Sequence, residues 1–251
     1  MHPRFEVKTL ALFALLLSAV LISFSVRAGN EDSVEVAMST EIERGSIDVN
    51  GNAVSFLGNV GSSPLTAETG ARNVLLLHGA KFSAQTWQDL GTLSLLAGAG
   101  YRVAAVDLPT QTKSPPRDEL LELMCDALGM SEGNPAVIVS PSMSGSFSVP
   151  LLFRKPSMFA GYVPVAPGIA GEHSSQEFAG VTGVPALIVY GERDSMGTRV
   201  SKLLSAIPGS HLMMIQGASH PAYLDEPDLF HERLLEFLKD DVFHEQRRKT
   251  V

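Results

Sequence analysis

The stretch of sequence that decides the fold is Ala136-Val137-Ile138-Val139-Ser140-Pro141-Ser142-Met143-Ser144-Gly145-Ser146. Its first four residues are apolar and mostly β-branched, which predicts a buried strand, and a helical pattern begins at Gly145. Between strand and helix lies a tight turn centred on Ser142. A serine in such a turn is typical of a nucleophile elbow, which needs small residues two positions before and after the serine. Ser140 and Ser144 stand where glycines are usual and are small enough, so the stretch predicts Ser142 as a nucleophile.

The surrounding sequence alternates between strand and helix patterns. Short apolar runs predict strands at Val74–Leu77, Val103–Val106, Ala136–Val139, Gly161–Val165, Ala186–Tyr190 and His211–Ile215. Helical patterns lie near Trp87–Ala97, Arg117–Leu128, Gly145–Phe153, Thr198–Ala206 and Asp228–Leu238. This alternation predicts a mostly parallel sheet with helices on both faces. An Asn50-Gly51 pair between two alternating runs predicts an N-terminal antiparallel hairpin with a type I′ turn.

Two further residues follow strands in the order that the α/β-hydrolase fold requires, which is serine, acid, histidine. Asp194 comes after the fifth of these strands and His220 after the sixth, at the carboxyl edge of the sheet, where open α/β sheets place their sites. A serine hydroxyl needs such a base to remove its proton. The sequence therefore predicts an α/β-hydrolase fold with a Ser142-Asp194-His220 triad. The short segment Pro167–Pro185 predicts no large lid, only a modest loop over an open site.

Backbone groups near the serine are predicted to form an oxyanion hole. Such a hole needs N–H donors that converge on the developing alkoxide. We expect the amides of Met143 and Ala80 to supply them, with Lys81 as an alternative for the second. His78 precedes the serine in the chain, so we expect a structural role for it, with the backbone after Gly79 contributing to the hole.

Composition and the remaining titratable residues exclude several other functions. The chain has 251 residues and a formal net charge of -8, and no basic run is interleaved with aromatic residues, which argues against nucleic-acid binding. Cys125 is the only cysteine, so an internal disulfide and a cysteine-based zinc site are excluded. No metal-ligand spacing or dinucleotide fingerprint is present, and we expect no bound cofactor. Asp107 is the main rival acid, but it precedes the serine and is expected to be structural.

The N-terminal segment predicts a membrane anchor. Leu10–Val26 is an almost unbroken apolar run that follows Arg4 and Lys8. This pattern favours a single-pass type II signal anchor over 10–27, after a cytosolic N-terminus at 1–9. The alternative is a signal peptide cleaved near Ala28, which would give a secreted protein. A stalk over 28–45, a hydrolase domain over 46–240 and a polar tail over 241–251 complete the predicted organisation.

Several segments together resemble a known family. The chain resembles the α/β-hydrolase domain-containing protein 14 family over roughly residues 45 to 240, and the Ser-x-Ser-x-Ser elbow is quite specific to that family. The apolar N-terminus makes it most similar to the membrane-anchored A member. The matching segments are Leu77–Ser83, Thr86–Leu93, Gly100–Arg102, Val106–Pro109, Ser140–Gly145, Val163–Pro167, Pro185–Gly191 and Gly217–Pro221.

The resemblance implies a function as well as a fold. It implies that Ser142, Asp194 and His220 hydrolyse small activated acyl esters, and it adds coenzyme A as an alternative acyl acceptor. This chain departs from the family over Thr110–Pro116, because it lacks the Gly-x-Gly turn that the family usually has there, near the site entrance. The resemblance therefore does not define the substrate preference. The rival hypotheses are a non-catalytic, membrane-tethered interaction protein on the same fold and a lipid-acting hydrolase at a membrane surface.

Overall fold

The sheet begins with the predicted antiparallel hairpin. The computed structural model describes residues 40–61 and 71–243, and its first strands are β1 (Glu43–Val49) and β2 (Asn52–Gly58). They are joined at Asn50 and Gly51, both of which have positive φ angles, 53° and 79°. A type I′ turn needs this conformation at both central residues, so the prediction from Asn50-Gly51 is confirmed.

The remaining strands extend this hairpin into a mixed sheet. Within the described ranges, eight strands are ordered β1-β2-β4-β3-β5-β6-β7-β8, and the pairs from β4 to β8 are all parallel. The first two pairs, β1 with β2 and β2 with β4, are antiparallel. The strands not yet given are β3 (Asn73–Leu76), β4 (Arg102–Val106), β5 (Ala136–Pro141), β6 (Phe159–Val165), β7 (Leu187–Gly191) and β8 (His211–Ile215).

Helices cover both faces of the sheet. They are α1 (Ala84–Asp89), α2 (Thr92–Gly98), α3 (Arg117–Ala127), α4 (Gly145–Arg154), α5 (Ser175–Ala179), α6 (Ser195–Leu204), α7 (Ala222–Asp225) and α8 (Pro227–Phe237). Alternate strand residues enter two separate hydrophobic cores. Leu75 and Ile138 pack with α3, α4 and α6, whereas Val74 and Val137 pack with α1, α2 and α8. A parallel sheet buried on both faces therefore forms the α/β-hydrolase fold that the sequence predicts.

One predicted helix and one predicted loop differ from the structure. The helix pattern over Trp87–Ala97 is divided into α1 and α2 at Gly91, whose φ of 75° no α-helix contains. The segment Pro167–Pro185 forms a 3₁₀ turn (Gly168–Glu172) and α5, and Phe178 from α5 is fully buried in the core. This segment is therefore part of the helical layer, and no large lid is present in the described ranges.

The prediction of a transmembrane signal anchor is corrected. No helix within residues 40–61 and 71–243 has both the length and the apolar character needed to cross a membrane. The longest α-helices there, α3 and α8, have 11 residues each, or about 16 Å against a hydrocarbon core of about 30 Å. The prediction that the protein contacts and resides in a membrane was based on segment 10–27. This segment lies outside the described residues, as does the alternative cleavage point at Ala28.

Candidate active site

The predicted elbow is a strained turn between β5 and α4. Ser142 directly follows β5 and has a φ of 50°, a left-handed conformation that few non-glycine residues adopt. Such strain persists where the surrounding structure holds it and concentrates at functional sites. The close packing below the turn also explains Gly145, because a Cβ there would lie 2.6 Å from the Cβ of Pro167. The turn therefore places Ser142 directly after the carboxyl end of β5.

Three predicted residues from distant parts of the chain meet at this turn. His220 Nε2 lies 2.8 Å from Ser142 Oγ, and His220 Nδ1 lies 2.6 Å from Asp194 Oδ2. The Asp194 side chain is 7% exposed and that of His220 is 39% exposed. A buried carboxylate needs a hydrogen-bonding partner, and the imidazole N–H supplies it. The arrangement has the contacts that a nucleophile, a base and an orienting acid require.

Local structure at the start of α6 directs the Asp194 carboxylate toward His220. Asp194 precedes the first turn of α6, and its carboxylate makes no capping bond to that helix. The space beside it is open only because residue 197 is a glycine, since a Cβ at Gly197 would lie 2.5 Å from Asp194 Oδ2. Gly197 therefore allows the carboxylate to reach the histidine.

The two serines that replace the elbow glycines belong to a buried chain of hydroxyl groups. Ser144 Oγ donates to the Pro141 carbonyl at 2.8 Å, which uses its only proton. Ser140 must therefore donate to Ser144 (3.0 Å), Ser148 to Ser140 (2.6 Å) and Tyr162 to Ser148 (2.9 Å). All four hydroxyl-bearing residues are fully buried. This chain of hydroxyl groups ends on the Pro141 carbonyl, in the peptide that leads into Ser142, and so it stabilises the elbow.

His78 orients the loop opposite Ser142. Its Nε2 accepts a hydrogen bond from the Leu108 amide at 2.9 Å, so its Nδ1 carries the proton and donates to the Gly79 carbonyl at 2.8 Å. In a trans peptide the next N–H, that of Ala80, points away from that carbonyl. The Ala80 amide makes no bond to another backbone group of the described chain. The predicted role of Ala80, Met143 or Lys81 amides as oxyanion donors stays a prediction.

A cavity of about 460 Å³ opens beside Ser142. Its lining is mainly apolar and includes His220 and the loop that begins at Gly79. The lining residues are Gly79, Ala80, Lys81, Phe82, Pro141, Ser142, Val165, His220, Pro221 and Tyr223. No residue of 110–116 and none of 167–185 contributes to this lining, although the sequence predicted both segments to lie near the entrance. A cavity of this size and polarity suits a small ligand.

The rival candidates lie in structural positions. Asp107 Oδ1 accepts a hydrogen bond from the Ala84 amide at 2.8 Å, at the start of α1. Burial raises the pKa of the Cys125 thiol, which disfavours the nucleophilic thiolate. Gly197, Ser148 and Tyr223 were not predicted as site residues. The sequence carries no signal for them, because their positions depend on how separate elements pack.

The chain is similar in sequence to two human proteins. A scan against protein-family models finds no match. Human ABHD14B, whose name describes it as a candidate protein-lysine deacylase, is 42% identical over 216 residues, which cover 81% of this chain and 99% of that protein. Human ABHD14A is 40% identical over 172 residues, which cover 66% of this chain and 63% of that protein.

Solved structures show the same fold at lower identity. A predicted CIB-like hydrolase from Thermoplasma acidophilum matches with a TM-score of 0.68 and 23% identity, over 79% of this chain and 98% of that chain. CarC, a serine hydrolase involved in carbazole degradation, matches with a TM-score of 0.62 and 18% identity, over 79% and 99% of the two chains. The fold agrees with the 42% identity to ABHD14B over 99% of that protein's length. The chain therefore belongs to the α/β-hydrolase domain-containing protein 14 family.

Proposed function

We propose that this hydrolase transfers small acyl groups through a covalent intermediate on Ser142. The observation that carries the proposal is the continuous contact from Ser142 Oγ through His220 to the buried Asp194 carboxylate, 2.8 Å and then 2.6 Å. A binding scaffold has no need of an activated serine in a strained turn beside a cavity. The name of the relative ABHD14B, which describes it as a candidate protein-lysine deacylase, supports the same class of reaction.

The proposed reaction has two steps. In the first, His220 Nε2 takes the Ser142 proton as Oγ bonds to the carbonyl carbon, and the Asp194 carboxylate stabilises the imidazolium. The amides of Met143 and Ala80 hold the negative oxygen. The carbonyl re-forms, the bond to the leaving group breaks, and the leaving group receives the proton from His220. The product of this step is an acyl ester on Ser142.

In the second step an acceptor removes the acyl group from the serine. His220 takes a proton from the acceptor, whose oxygen or sulfur bonds to the acyl carbon, and Ser142 leaves with the proton returned by His220. Water gives a carboxylic acid, whereas a thiol such as coenzyme A gives a thioester. Acyl-lysine side chains and short activated esters are the substrates to compare, and coenzyme A is the acceptor to compare with water.

The experiment is active-site labelling of the full chain with a fluorophosphonate probe, which reacts with activated serines. We expect the wild-type chain to be labelled, Ser142→Ala to lose labelling, and its ester hydrolysis to fall by at least about 10³-fold. The matched control is Ser157→Ala, which removes an exposed serine hydroxyl that donates to Glu132 on the protein surface. Circular dichroism checks that each variant is folded.

Two outcomes would contradict the proposal. The first is a folded wild-type chain that is not labelled and does not hydrolyse short acyl esters, which would favour a non-catalytic interaction protein on this fold. The second is unchanged labelling of Ser142→Ala, which would place the activated serine elsewhere.

A further inference from the structure

Tyr223 is a buried tyrosine in the wall of the cavity beside Ser142. It lies in α7, three residues after His220, and only 1% of its surface is exposed. Its hydroxyl has no hydrogen-bonding partner among the residues that the structure describes. A phenol hydroxyl that no protein group pairs can still donate and accept a hydrogen bond with a ligand.

The position of the Tyr223 oxygen points to the cavity. In the described parts of the chain, the fully buried side-chain oxygens that lack a partner belong to Gln88 and Ser201. The Tyr223 oxygen is not among them and makes no hydrogen bond, so it keeps accessible surface. Since the residue as a whole is 1% exposed and lines the cavity, that surface faces the cavity.

Aromatic packing holds the ring in one orientation. Tyr223 stacks on Trp87 with ring centroids 4.8 Å apart and planes at 27°, and its centroid lies 5.9 Å from that of Phe230. Trp87 is itself fully buried, and its Nε1 donates to the Leu77 carbonyl at 2.8 Å. A donor fixed in this way loses little conformational entropy when it binds a ligand.

We propose that Tyr223 is a substrate-binding residue, whose phenol donates a hydrogen bond to a second oxygen acceptor in the substrate. The inference rests on the proposed function and narrows its substrate class to acyl compounds that carry such an acceptor, for example an ether or carbonyl oxygen, close to the scissile carbonyl. A purely hydrocarbon chain would cover the phenol and leave it unpaired. Sites built to hydrogen-bond a substrate reject analogues that lack the bonding group for this reason.

The protonation state of the phenol agrees with a donor role. Burial raises the pKa of Tyr223, so the phenol stays protonated throughout the pH range in which proteins are assayed. Lys81 is the cationic side chain in the same lining, and its flexible, exposed position makes it a weaker determinant of geometry.

The test measures binding rather than turnover, so that it does not depend on Ser142 chemistry. Ser142→Ala is titrated with two pairs of esters that have nearly equal size and differ by one ether oxygen. Methyl methoxyacetate and methyl butyrate place the acceptor in the acyl group, whereas 2-methoxyethyl acetate and butyl acetate place it in the leaving group. Trp87 is the only tryptophan of the chain and stacks on Tyr223, so its fluorescence reports binding.

The measured quantity is the ratio of the two Kd values within a pair, compared between Ser142→Ala and Ser142→Ala/Tyr223→Phe. Differences in the esters' own hydration cancel in this comparison. We expect one pair to lose a preference of about tenfold for the ether when the phenol is removed, as for one neutral hydrogen bond. Tyr101→Phe in the same background is the control, because Tyr101 is also buried but does not line the cavity.

The outcomes separate this inference from the proposed function. Equal ratios in both proteins for both pairs would overturn the inference, and so would a failure of all four esters to bind. An equal change in Tyr101→Phe would overturn it as well. Labelling and turnover of the Ser142-containing chain decide the proposed function independently of these binding data.

Discussion

The fit between Gly197 and the Asp194 carboxylate leads to a prediction about Gly197→Ala. The added Cβ would lie 2.5 Å from Asp194 Oδ2 and 3.1 Å from the Cβ of Ala166, which is fully buried. Cβ contacts below 3.0 Å essentially do not occur, so the carboxylate must move by about 0.5 Å or more. The added Cβ is therefore close to two neighbours at once, and the Asp194 carboxylate is the nearer of the two.

The displaced oxygen is the one that contacts His220, 2.6 Å from Nδ1. Misplacing a catalytic group by about 1 Å costs roughly 10²-fold, and removing the function of the acid altogether costs about 10⁴-fold. We therefore expect kcat to fall by about 10- to 100-fold. The free energy of unfolding should change by less than about 1 kcal/mol, because alanine is favoured over glycine inside a helix by about 0.5–1 kcal/mol and this offsets part of the strain.

The assay is steady-state hydrolysis of a short activated ester, with thermal unfolding measured on the same samples. The matched control is Gly98→Ala, which adds a methyl group to a helical glycine with nothing within 4 Å. It should leave kcat unchanged. A wild-type kcat in Gly197→Ala would show that the position of the Asp194 carboxylate does not limit turnover. A loss of activity that merely follows unfolding at the assay temperature would contradict the prediction as well.

Two further predictions concern stability. Ser148→Ala removes the hydroxyl that accepts the 2.9 Å hydrogen bond from Tyr162 and should lower the free energy of unfolding by about 2 kcal/mol. Adding Tyr162→Phe should recover part of this loss in chemical denaturation, and no recovery would contradict the hydroxyl chain. Burial lowers the pKa of His231 in the folded protein. Since the His231 imidazole binds a proton more readily in the unfolded chain, the free energy of unfolding should fall as the pH decreases through about 6.5. His231→Gln should weaken this dependence, measured by urea unfolding at about pH 7.5 and about pH 5.5; an identical pH dependence would contradict the assignment.

Much of the fold could be predicted because its signals are local. Strand His211–Ile215 has the same bounds in sequence and structure, and Asn50-Gly51 forms the expected turn, because backbone sterics alone restrict which residues adopt positive φ. The helical pattern over Trp87–Ala97 predicts one helix, because a pattern of apolar residues does not show where a glycine interrupts the backbone. In the structure Gly91 adopts the left-handed conformation and separates α1 from α2.

The site was predictable in part for a topological reason. Parallel strands end at one edge of the sheet, so residues that follow strands in the order serine, acid, histidine are brought to one place whatever separates them in sequence. That is why Ser142, Asp194 and His220 could be predicted to meet. Their catalytic role remains a prediction until the labelling experiment is done.

The amino-acid pattern alone established the βα alternation, the hairpin, the elbow and the three residues of the candidate triad. Tertiary packing alone decided what surrounds them. Ser140 and Ser144 could be interpreted as small substitutes for glycine, but their hydroxyl chain depends on Tyr162 from the neighbouring strand. The orientation of the Tyr223 ring likewise depends on stacking with Trp87, which is far away in sequence. Such contacts are set by the distances between packed elements, which no local sequence signal contains.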